Sequence, residues 1–116
     1  MTKEKLVRDE IPHIIARDDP AASFQVRVAS QEEIFGLLLD KLDEEVSELK
    51  VALLYCSASN KGLDLVVTES ADVLEVLRAI LDRFGINYQE VETTRKSKAE
   101  TRGSFSRHLV LTQNTS

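Results

Sequence analysis

Two stretches of this chain, residues 31–54 and 63–84, repeat apolar side chains with helical period for more than twenty residues each. The second carries an unusually wide apolar surface. At roughly 100° per residue, Leu63, Val66, Val73, Leu74, Leu77, Ile80, Leu81 and Phe84 form one arc over about half of the helix circumference. A surface helix packed against a single neighbour needs a narrower stripe, so this helix must be covered on more than one side. The first stretch presents Ile34, Phe35, Leu38, Leu42, Val46, Leu49 and Leu53 and can cover one of those sides. Two such helices constrain the fold to a mainly α bundle. A second subunit is the natural source of the missing cover, with Val73, Leu77, Ile80 or Phe84 near the contact.

The acidic residues on these helices are placed against that pattern. Glu45 and Glu48 lie three apart at the border of the first stripe, and Glu69 and Asp72 lie three apart on the second helix. Glu69 falls inside the apolar arc and Asp72 at its edge. A lone buried carboxylate costs several kcal/mol or changes its pKa, so it calls for a compensating cation. No basic residue within the arc offers itself to Glu69. Four carboxylates on two facing helices read as an oxygen cage for Mg²⁺, with Mn²⁺ as a substitute. Glu44 points further outward. Glu75 falls on the polar face with Asp64, Thr68 and Asp82.

The flanking segments are shorter. Ile11, Ile14 and Ile15 give residues 5–19 an apolar face, with Pro12 in a first turn, Asp9 as cap and Asp18-Asp19-Pro20 as stop. Phe24–Val28 alternates apolar and polar residues like a half-buried strand. Ser30 and Glu33 have capping-box spacing ahead of the first long helix. Ser57–Gly62 reads as the connection between the long helices, and Gly85 as the residue that ends the second. Asn87 with Glu90 opens a more polar helix to about Thr101. Phe105–Leu111 reads as a second strand, which would make a small β-ribbon with Phe24–Val28 and leave 112–116 as a loose tail. One domain, 1–116, is expected.

Composition narrows the function. Hydrophobic residues make up 42% and charged residues 30%, the balance of a soluble globular protein. A net charge of −5 disfavours stable nucleic-acid binding, which needs a basic face. No apolar run approaches the roughly 18 residues that would span a bilayer, and Met1–Arg8 lacks the apolar core of a signal peptide. The one cysteine, Cys56, excludes an internal disulfide and a cysteine-rich zinc site, and a reducing cytoplasm is its natural compartment. His13 and His108 have no second ligand at zinc spacing. Walker A, GxGxxG and GxSxG patterns are absent. Phosphate binding must then come through a metal together with scattered cations, for which Lys5, Arg8, Lys41, Lys96 and Arg102, beside Lys98, are the candidates.

Glu44-Glu45-Val46-Ser47-Glu48 followed by Glu69-Ser70-Ala71-Asp72 is similar to the EExxE…ExxD pattern of the MazG-like all-α nucleoside triphosphate pyrophosphohydrolases. Lys5 to Pro12 and Arg102-Gly103-Ser104-Phe105 resemble the opening and closing strings of a small single-domain branch, with Glu10 and Ser104 departing from its usual Lys and Gly. The resemblance implies a helical bundle in a homodimer or higher oligomer, with Mg²⁺ held by Glu45, Glu48, Glu69 and Asp72. It also implies cleavage of a nucleoside triphosphate between the α- and β-phosphates to a monophosphate and pyrophosphate. Glu44 or Glu48 would orient the attacking water. A pyrophosphohydrolase for phosphoribosyl-ATP and a non-enzymatic helical dimerisation module are the alternatives.

Overall fold

The computed structural model describes residues 4–114. Within them the chain forms four helices: α1 (Ile11–Asp18), α2 (Ile34–Ser59), α3 (Leu63–Arg83) and α4 (Tyr88–Arg102). Two compact units divide the chain, one up to Ile80 and one from Leu81 onward. No described helix is long and apolar enough to cross a membrane.

In the first unit, α1 begins with Pro12 in its first turn, where a missing N–H costs nothing. The residue at its N-cap is Glu10, not Asp9, and its side chain makes no capping bond. The capping box ahead of α2 forms in both directions: the Ser30 N–H donates to Glu33 Oε2 at 2.8 Å, and the Glu33 N–H donates to Ser30 Oγ at 3.3 Å. Regular helix follows from Ile34 and continues to Ser59, five residues past the end read from the sequence. Ser57-Ala58-Ser59 is small and lacks a large apolar side chain, which in sequence looks like a connection, but a helix tolerates such residues once it is running. The turn shrinks to Asn60–Gly62. Asn60 adopts the left-handed conformation at φ 57° and Gly62 at φ 84°. At Gly62 the positive φ favours glycine, and a Cβ there would come within 2.9 Å of the Tyr55 ring, which would have to shift. Glu48 and Ala52 of α2 line one groove together with Glu69 and Leu65 of α3, the residue order of an antiparallel helical hairpin.

The core of this hairpin is thin. Leu38 and Ala52 are the buried apolar residues among those described. Val51, Leu54, Leu63 and Val67 are 67%, 71%, 68% and 69% exposed, so an open apolar face surrounds the α2–α3 turn. Val73, Leu77 and Ile80 are half-buried.

In the second unit, α3 ends as its sequence predicts. The Ile86 N–H reaches the Leu81 carbonyl at 2.9 Å and the Gly85 N–H the Asp82 carbonyl at 3.0 Å, with Gly85 at φ 68°, the pattern of a Schellman stop. Asn87 caps α4 by accepting from the Gln89 N–H at 2.8 Å. Phe84, 60% exposed, closes the apolar arc on this side of the division.

The β-ribbon does not form: there is no strand among the described residues. In Phe24–Val28, Val28 is 95% exposed, and in Phe105–Leu111, Phe105 is 96% exposed. Apart from Phe24, their apolar side chains stay mostly exposed, so strand pairing brings little packing to offset the ordering of the backbone. Of the expected tail, 112–114 lack regular structure and 115–116 lie outside the described residues.

Candidate metal centre

Spacing of three puts Glu45 and Glu48 on one face of α2, one turn apart. The hairpin brings Glu69 of α3 against them, and one carboxylate oxygen from each of the three lies within 4.8 Å of the others. The trio grades in exposure: Glu45 is buried at 7%, Glu69 is half-buried and Glu48 is exposed. One side therefore rests on the helix interface and the other opens to solvent. The groove alongside has a volume of about 290 Å³. Beside Glu48 and Glu69 its walls are Ser47, Val51, Ala52 and Leu65.

The polar accounting of the trio is incomplete. Glu45 Oε2 and Glu69 Oε2 are buried and have no hydrogen-bond partner among the described residues. Orphaned carboxylate oxygens are costly, because each has lost its water and gained nothing in return. Burial pushes the Glu45 carboxyl up from its ordinary value. The hydrogen bond and charge of Lys41 pull it back, while the charges of Glu48 and Asp72 add to the rise. Three convergent carboxylates with two unsatisfied oxygens are a donor set suited to a hard divalent cation, which prefers oxygen ligands and would satisfy both orphans.

The remaining charges form a shell around the trio. Lys41, one turn before Glu45 and only 16% exposed at its side chain, places Nζ 3.2 Å from Glu45 Oε1 and 3.3 Å from Glu44 Oε1. Its burial lowers the ammonium pKa, but the hydrogen bonds and charges of Glu45 and Glu44 outweigh this and leave it raised. Lys5 Nζ stands 3.7 Å from the same Glu44 oxygen. Asp72, one turn beyond Glu69, is not within the trio; Arg8 Nη2 donates to its Oδ1 at 2.6 Å.

Of the residues singled out in the sequence, then, Glu45, Glu48 and Glu69 converge. Asp72 lies close enough to act on Glu45 by its charge but is held by Arg8. Lys5 and Lys41 face Glu44, and Lys41 also faces Glu45, so the structure gives both lysines carboxylate partners. The Lys41–Glu45 contact was legible as a spacing of four on one helix. The Arg8–Asp72 contact, across 64 positions, left no local signal. Lys96 and Arg102 are exposed on α4 in the second unit.

Residues 9–98 match the model of a family described as phosphoribosyl-ATP pyrophosphohydrolase. No curated protein and no solved structure matches the chain.

Proposed function

The chain belongs to the phosphoribosyl-ATP pyrophosphohydrolase family, part of the MazG-like all-α superfamily, and on that basis we propose that it cleaves the α–β phosphoanhydride of a nucleoside 5′-triphosphate. The products are a monophosphate and pyrophosphate, and the cofactor is Mg²⁺ or, in its place, Mn²⁺. The observation that carries this reading is the trio Glu45, Glu48 and Glu69, with its two orphaned buried oxygens. These three would hold the ion. When bound there, it supplies charge withdrawal from the phosphate oxygens.

The chain's own groups account for the rest. Glu48 belongs to the trio, lies on its solvent side and lines the groove, so it is placed to orient a water and take its proton. Glu44 is the weaker base, because Lys41 and Lys5 already compensate its charge. As the water oxygen attacks phosphorus in line, the bridging oxygen leaves with pyrophosphate and the proton passes to the carboxylate. The groove walls Val51, Ala52 and Leu65 provide an apolar floor on which a base or sugar can rest. Orientation and electrostatics, rather than covalent chemistry, are the protein's contribution.

Two substrate classes share this bond, free nucleoside triphosphates and phosphoribosyl-ATP. The family match favours the second. Measuring pyrophosphate release from phosphoribosyl-ATP beside a panel of canonical and modified triphosphates with Mg²⁺ separates them. A substrate whose kcat/KM exceeds the rest by about a hundredfold or more identifies the class. No release from any member of either class would reject the reading.

A homodimer or higher oligomer completes this proposal. The exposed face of Val51, Leu54, Leu63 and Val67 supports it. The contact belongs at the α2–α3 turn, with Phe84 a second apolar element, more than at the half-buried Val73, Leu77 and Ile80. A cytoplasmic location is part of the same proposal.

A further inference from the structure

The segment Glu4–Arg8 has no regular structure, yet it is tied at three points by charged side chains, one acidic and two basic. Arg27 Nε donates to Glu4 Oε2 at 3.0 Å, Lys5 meets Glu44 at 3.7 Å, and Arg8 meets Asp72 at 2.6 Å. The last two ties reach the two helices that carry the trio, Glu44 on α2 and Asp72 on α3. The backbone at Arg8 is itself fixed, since its carbonyl accepts the Ile11 N–H at 3.0 Å at the entry to α1. Its side chain is more than half exposed and extends from that fixed point to Asp72.

The local charge shows what these ties do. Five carboxylates, Glu44, Glu45, Glu48, Glu69 and Asp72, meet three cations, Lys5, Arg8 and Lys41. With every one of these eight described groups ionised, two negative charges remain among them, the complement of one divalent cation. A triphosphate then brings several further negative charges to the same place. Of the positive groups described beside them, Lys5, Arg8 and Lys41 are each engaged with carboxylates. Arg8 is the best suited to change partner: Lys41 is largely buried against Glu45, whereas Arg8 is exposed and its guanidinium matches phosphate oxygens in a bidentate fashion.

We infer that Arg8 is an exchanging side chain, bound to Asp72 in the metal-free protein and to a phosphate oxygen of the nucleotide in the loaded one, so that Asp72 is released toward the metal centre only as Arg8 leaves it. This rests on the proposed metal centre. It assigns Arg8 two successive partners and makes the N-terminal segment part of the substrate site.

Two ligands test it, Mg²⁺ alone and inorganic pyrophosphate in the presence of Mg²⁺, both by calorimetry on the full chain. Arg8→Gln frees Asp72, so it is expected to bind Mg²⁺ roughly two- to fivefold more tightly than wild type, the worth of a partly exposed ion pair. It is expected to bind pyrophosphate about tenfold more weakly, the worth of a charge-assisted hydrogen bond, with Arg8→Lys recovering part of that loss. Asp72→Asn should weaken Mg²⁺ binding instead. An Arg8→Gln protein that binds Mg²⁺ no better than wild type, or pyrophosphate equally well, overturns the exchange while leaving the metal centre intact. Failure of wild type to bind Mg²⁺ at all overturns both.

Discussion

Glu69 is the residue on which the proposed metal centre depends most. Its position within the apolar arc of α3 is visible in the sequence as an acid where an aliphatic side chain would fit, and the structure leaves its Oε2 buried without a partner among the described residues. A bound cation, as proposed, would offset that cost. Glu69→Gln is therefore expected to abolish calorimetrically detectable Mg²⁺ binding, yet to leave the metal-free protein as stable as wild type or more stable, by about 1 kcal/mol. Thermal unfolding in a chelator measures the second half; a large destabilisation would mean that Glu69 holds the fold rather than a cation. Glu45 was legible in the same way, as the border of a stripe, and Lys41 by its spacing of four. The tie of Asp72 to Arg8 was not legible. Both residues were singled out, but helical periodicity relates only neighbours a turn or two apart, and nothing in it links position 8 to position 72.

At the scale of elements, local chemistry and the fold agree wherever a segment has its own stop and start signals. The Gly85 stop, the Asn87 cap and the Ser30–Glu33 box all form where their residues stand. The two strands were misread because alternation shows only which side chains a strand would bury; it does not supply a surface to bury them against. The box also carries a pH signature. Hydrogen bonds from the Arg27 guanidinium, and then from the Ser30 N–H, hold the Glu33 carboxyl down at about 2 against an ordinary 4.5. A lowered folded pKa stabilises where the carboxylate is ionised in both states and is lost as pH falls through the folded value. The difference in thermal midpoint between wild type and Glu33→Gln should thus be full above 4.5 and close as pH approaches about 2. A difference that does not vary over that range would show that Glu33 acts by packing and not by charge.

At the scale of the whole molecule, the breadth of the apolar arc and the exposed face of Val51, Leu54, Leu63 and Val67 point the same way. The sequence shows that α3 needs cover on more than one side, and the chain provides too little of it, with Leu38 and Ala52 the buried apolar residues described. Which residues remain open could not be read, because periodicity gives a face but not the place along it where the partner helix ends. Sedimentation at low micromolar concentration should show a dimer or larger species, and Leu54→Glu at the open face should shift it toward monomer; a compact wild-type monomer would contradict the assembly. The central claim is narrower than the assembly: the trio of carboxylates runs a metal-dependent cleavage between the α- and β-phosphates. Phosphorus-31 NMR of the reaction, run with phosphoribosyl-ATP or the best triphosphate, tests it most directly. Wild type with Mg²⁺ should give monophosphate and pyrophosphate in equal amounts, with the reaction silent in chelator and in Glu69→Gln. Orthophosphate appearing first beside a diphosphate, or undiminished cleavage by Glu69→Gln, would contradict it.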